Sequence, residues 1–136
     1  MTKSAKLPRT TALHDAVAAH GGPERIAEVL RAGADIDEQD SSGNTALFLA
    51  ASLGDLDAVT ALLDAGADLE VENAWGNTPL WGATIRSRGD GTIIEALLRR
   101  GADPDHVNSA GNSPRMLAER VENYDLGRFF PERNGR

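Results

Sequence analysis

Gly66-Ala67-Asp68-Leu69-Glu70-Val71-Glu72-Asn73-Ala74-Trp75-Gly76-Asn77-Thr78-Pro79-Leu80 is the stretch on which the fold turns. Its first glycine suits a left-handed residue closing the helix before it. Thr78 at its far end is able to cap the next helix, and Pro79 takes the first helical position, where a missing N–H costs nothing. The span between is too short for a helix of its own and suits a hairpin-like turn.

The same parts recur on both sides. Gly33-Ala34-Asp35, Gly66-Ala67-Asp68 and Gly101-Ala102-Asp103 stand 33 and 35 residues apart. Each follows an apolar helix end: Val29-Leu30, Leu62-Leu63 and Leu97-Leu98. The caps at Thr11, Thr45, Thr78 and Ser113 are 34, 33 and 35 apart. Between cap and closure there is room for two short helices, broken by Gly54 and Gly89, while Ala50, Ala51, Ala83 and Ala118 let successive helices approach closely. A period of this length marks a stacked repeat whose units cannot bury their apolar faces alone. The expectation is an all-α chain of about four helix–turn–helix units, at roughly 10–39, 40–72, 73–107 and 108–130, between tails at 1–9 and 131–136.

With these motifs laid out, the sequence resembles the ankyrin-repeat family: the Thr-Pro-Leu-His start, the glycine between helices, the Leu-Leu pair and the Gly-Ala-Asp closure are matched across residues 10–130. The resemblance implies a solenoid with projecting β-hairpin-like fingers that binds another protein through its finger tips and inner, concave helices. Three departures stand out. Arg115 replaces an expected core leucine, as suits a terminal unit with a wetter outer side, and the last second helix is short, from Tyr124 to Phe130. Ala12 stands where proline is usual. The third unit carries two extra residues between its helices, within Ile85 to Asp90.

Composition narrows the function. The chain of 136 residues is 40% hydrophobic and 26% charged, which fits one soluble globular domain and not a disordered one. It has no cysteine, so disulfides, thiolate metal sites and thiol nucleophiles are excluded. No apolar run long enough for an export signal or a membrane span occurs, and the expected location is cytoplasmic. The formal charge of −7 is unevenly spread: residues 1–31 carry +2, residues 32–85 carry ten acidic groups and no Lys or Arg, and residues 86–136 carry +1. Such a block repels a phosphate backbone, which argues against nucleic acid, and attracts a basic partner. A plain solvated face would look the same. His14, His20 and His106 form no metal-spaced pair, there is no phosphate-binding or dinucleotide fingerprint, and the carboxylates fall at repeat positions. No cofactor, metal or catalytic residue is expected, and an enzyme is the remote alternative.

Candidate contacts follow from the resemblance. At the finger tips stand Asp40, Ser42, Asn44, Glu72, Trp75 and Asn77. An aromatic in a polar turn offers a binding anchor, so Trp75 leads this set. Phe48 and Trp81 occupy the slot where the family's histidine, kept here as His14, braces the cap threonine. Their rings serve either as a patch for a partner or as packing between units. Gly82 beside Trp81 costs about 1 kcal/mol in a helix interior and hints at a close approach. Ile85, Arg86 and Arg88 complete the candidates in the lengthened inter-helix segment.

The C-terminal run Trp81, Ser87-Arg88-Gly89, Gly101-Ala102-Asp103-Pro104-Asp105, Ser113-Pro114-Arg115, Asn123-Tyr124-Asp125 and Phe129-Phe130 is similar to small bacterial ankyrin proteins that accompany toxins as immunity proteins. That likeness implies a stoichiometric inhibitor of a basic toxin or effector, monomeric on its own. A general adaptor or scaffold is the alternative.

Overall fold

The computed structural model describes residues 11–132. The tail expected at 1–9, and residues 133–136 of the other tail, lie outside the described residues. Three helix pairs follow one another: α1 (Ala12–Ala18) with α2 (Gly22–Arg31), α3 (Ala46–Leu53) with α4 (Leu56–Asp64), and α5 (Pro79–Arg86) with α6 (Thr92–Arg99). A seventh helix, α7 (Pro114–Arg120), precedes a 3-10 turn at Leu126–Phe129. That turn is all that stands where a short second helix was expected. With only four residues, the tighter i→i+3 pattern is the form open to it. Among the described residues there is no strand.

The caps explain where the helices begin. Thr11, Thr45 and Ser113 adopt extended backbone, and their hydroxyls accept the amides of His14 at 3.1 Å, Phe48 at 3.1 Å and Met116 at 3.2 Å. Thr78 departs from expectation. Its backbone is the same, but its side chain caps nothing and its buried hydroxyl has no partner. The Trp81 amide bonds the Thr78 carbonyl instead, at 3.0 Å.

Closure is uniform. Gly33, Gly66 and Gly101 have φ near +100° (105°, 97° and 100°), and the following alanine amide reaches back to Val29, Leu62 or Leu97. That six-to-one bond satisfies a carbonyl the helix leaves orphaned, and it needs the left-handed glycine.

The first helices α1, α3, α5 and α7 pack side by side in one layer, and α2, α4 and α6 form a second layer behind them. The core lies between: Leu13, Leu47 and Leu80 from the first layer meet Ile26, Val59, Leu62, Ile94 and Leu97 from the second, all essentially buried. Ala50, Ala51, Ala83 and Ala118 are buried too, which is what close helix spacing in the first layer requires. The front layer thus presents one edge to solvent, continuous with the three turns that precede α3, α5 and α7.

Candidate protein-binding surface

Each turn is held by the same internal bonds. In the first, Asp40 accepts the amides of Ser42 and Asn44, both at 2.9 Å, and its own amide donates to the Asn44 carbonyl at 2.9 Å. Asn73 does this in the second turn and Asn108 in the third. Neighbouring turns are stitched together as well. The amides of Ala74 and Ser109 donate to the carbonyls of Ser42 and Trp75, both at 3.0 Å, and the Asn73 and Asn108 side chains donate to those of Asn44 and Asn77 at 3.0 and 2.8 Å. His14 ties the first unit in. A carbonyl can only accept, so its Nε2 donates to the Asn44 carbonyl at 2.7 Å while Nδ1 accepts the Thr11 hydroxyl at 2.7 Å.

The acidic stretch has an internal role that the repeat spacing did not disclose. Asp35, Asp68 and Asp103 each accept the amide two residues on: Asp37 at 3.0 Å, Glu70 at 2.8 Å and Asp105 at 2.9 Å. The residue so placed then reaches the next turn. Asp37 accepts the Asp68 amide at 2.9 Å, and Glu70 accepts the Asp103 amide at 2.8 Å. Asp105 ends the ladder on Arg115, 2.7 Å from Nε and 3.2 Å from Nη2. Arg115 is therefore buried, its guanidinium shared between Asp105 and the Pro131 carbonyl, and not on a wet outer side. Glu72, in the second turn, faces His106 at 2.6 Å. The visible signal was an acidic residue two places after each Gly-Ala-Asp aspartate.

The candidate residues therefore divide. Asp40, Asn44, Glu72 and Asn77 have side chains engaged within the turns, and Ser42 is half-buried with its carbonyl used. Phe48 is half-buried, its ring against Gly82, where a Cβ would come within 3.2 Å of it and 2.6 Å of the Ser52 hydroxyl. The close approach hinted at by Gly82 is thus made between adjacent first helices. Trp75 and Ile85 are 59% and 54% exposed. Trp81, half-buried, lies four residues before Ile85 on one face of α5. Exposed Arg86 and Arg88 follow, with no carboxylate in ion-pair reach among the described residues.

The segment carrying Arg88 is firmly built. Arg88 sits at φ 51°, a left-handed conformation uncommon for a residue with a Cβ. The Tyr124 and Phe129 rings stand against Gly89 and Gly91. Asp90, two residues before α6, accepts the Thr92 hydroxyl at 2.6 Å and the Thr92 amide at 2.9 Å, bonds that hold its carboxyl below the usual carboxylate range.

Leu53 and Val107, 47% and 56% exposed, were not singled out from the sequence. Leu53 and Arg86 share a cleft of about 160 Å³ with Ser52, Ser87 and Thr92. The signal for Leu53 was its place one residue before the helix-ending Gly54, facing away from the packed alanines.

Among the described residues no cluster of three His, Asp or Glu side chains is arranged to hold a metal ion, and no helix is long and apolar enough to cross a membrane. No curated protein matches the chain in sequence. A family model described as ankyrin repeats, in three copies, matches residues 13–108. That span takes in the three helix pairs, save Ala12 at the start of α1, and the two turns between them, and the chain belongs to the ankyrin-repeat family of protein-binding modules.

Proposed function

We propose that the chain is a stoichiometric protein ligand that seats its partner on the exposed edge of the third unit, against Trp75, Trp81 and Ile85, with Arg86 and Arg88 at one end. The observation that carries this reading is the exposure of Trp75 and Ile85 beside turn residues Asp40, Asn44, Glu72 and Asn77, whose side chains are engaged internally. Large apolar anchors with polar surroundings are what binding hot spots are made of, and a rigid turn lowers the entropy lost on binding.

Charge favours a basic partner. Residues 32–85 supply ten acidic groups without a Lys or Arg. The field of such a block draws a basic surface in and speeds association without forming the apolar contact itself. Neutralisation of a basic bacterial toxin, as in an immunity protein, is the narrow form of this reading, with the chain monomeric and cytoplasmic until it meets the toxin. A general adaptor would instead show several weak partners.

The test is capture from the native cell lysate followed by equilibrium binding to the purified partner. Both are repeated with Trp75→Ala and Ile85→Ala, which remove exposed side chains and leave the core intact. One dominant basic protein, bound at least tenfold more weakly by either variant, supports the reading. Binding indifferent to both changes removes it, and many weak partners would favour the adaptor.

A further inference from the structure

We propose that Trp81 serves the partner at the expense of the fold. It fills a slot in which the first unit holds a histidine bridge, and the third unit forgoes that bridge to present an indole. On the partner's side this rests on the binding edge proposed above; on the side of the fold it stands alone.

The slot is the third residue after a cap: His14 after Thr11, Phe48 after Thr45 and Trp81 after Thr78. His14 is buried and spans two units, with Nδ1 2.7 Å from the Thr11 hydroxyl and Nε2 2.7 Å from the Asn44 carbonyl of the next turn. The third unit offers the same backbone. Thr78 stands at φ −97° and ψ 170°, against −109° and 168° at Thr11. The Asn112 carbonyl accepts the Asn108 amide at 2.8 Å, as the Asn44 carbonyl accepts that of Asp40 at 2.9 Å. Only the side chain in the slot differs. An indole has one N–H and no acceptor nitrogen, so it cannot take the proton of a hydroxyl. The Thr78 hydroxyl is accordingly buried without a partner, which is a cost to the fold.

Packing between units accounts for Phe48 but not for Trp81. The Phe48 ring lies against Gly82, the fourth residue of α5, where a Cβ would come within 3.2 Å of it. The fourth residue of α7 is Leu117, a full side chain in place of the glycine, so Trp81 is offered no such notch. Trp81 stays half-buried, four residues before the exposed Ile85 on the same helix face. A large aromatic that neither bridges a cap nor meets a glycine, beside an exposed aliphatic side chain, is suited to anchor a partner. Local rules of the fold are broken at functional positions, where stability is given up for binding.

Two readings on the full chain test this. In urea unfolding, Thr78→Val is expected to leave the midpoint unchanged or raise it in the native chain, and to lower it in a Trp81→His background, where the hydroxyl has a ring nitrogen to bond. The same sign in both backgrounds overturns the proposal, and the comparison is independent of the apolar area lost with the indole. In equilibrium binding to the purified partner, Trp81→His is expected to bind about tenfold more weakly. Unchanged binding by Trp81→His, with binding still weakened by Trp75→Ala and Ile85→Ala, overturns the proposal and leaves the edge standing. Binding unchanged by all three removes both. Should Trp81→His fail to fold, Trp81→Gln, whose side-chain carbonyl also accepts a hydroxyl, takes its place in both readings.

Discussion

Thr45 and Thr78 occupy equivalent positions with nearly equal backbone angles, yet only one hydroxyl has work to do. Thr45 satisfies the Phe48 amide, whereas the Thr78 hydroxyl is buried without a partner. A lost cap costs about 1 kcal/mol, and an unsatisfied buried hydroxyl is itself a cost, so the two sites answer oppositely to an apolar replacement. Thr45→Val is expected to lower stability by about 1 kcal/mol and Thr78→Val to leave it unchanged or raise it, as read from urea midpoints. An equal loss at both would contradict this difference. That both residues start helices was legible from the spacing alone. That one of them lacks its hydrogen bond was not, because a hydroxyl's orientation is decided by packing around it. Arg115 teaches the same lesson in reverse. Read alone it is a charge in a leucine's place, but Asp105, ten residues earlier, makes it a buried end-piece for the carboxylate ladder.

At the scale of the elements, the helices and their order were legible because cap, closure and apolar residues agree at each copy of the period. Contacts between copies were not, since they depend on side chains a full repeat apart. Gly82 shows the difference. Sequence marks it as an unfavourable residue inside a helix; the structure supplies the reason, the Phe48 ring and Ser52 hydroxyl of the preceding unit. Alanine in an open helix interior would bring about 1 kcal/mol of stabilisation relative to glycine. Gly82→Ala is expected to forfeit that gain through the crowded Phe48 contact and to recover it in a Phe48→Ala, Ser52→Ala background. A double-mutant cycle in thermal or urea unfolding checks this, and additivity would contradict the close packing of α3 on α5. The candidate edge was half legible for the same reason. Trp75, Trp81 and Ile85 could be proposed from residue type and position. The engagement of Asp40, Asn44, Glu72 and Asn77 by neighbouring turns could be seen only with the units stacked.

For the whole molecule, the stack gives each unit contacts chiefly with its neighbours, so one edge can be devoted to a partner while the core lies between the two layers. The uneven charge adds a direction to that edge, with repeats one and two acidic and the inter-helix segment of the third unit bearing Arg86 and Arg88. Association with a basic partner is expected to slow as salt rises, while dissociation, governed by the apolar contacts, changes much less. Stopped-flow binding at two ionic strengths would show it, and a salt-independent on-rate would remove the steering role of the acidic block. The central claim, that the partner seats on the exposed edge of the third unit, is met most directly by hydrogen exchange on the purified complex. The account predicts that binding slows exchange in the Trp75 turn, through α5 and on to Arg88, and leaves α2, α4 and α6 unchanged. Protection confined to the second helix layer, with the Trp75 turn and α5 exchanging as in the free chain, would contradict it.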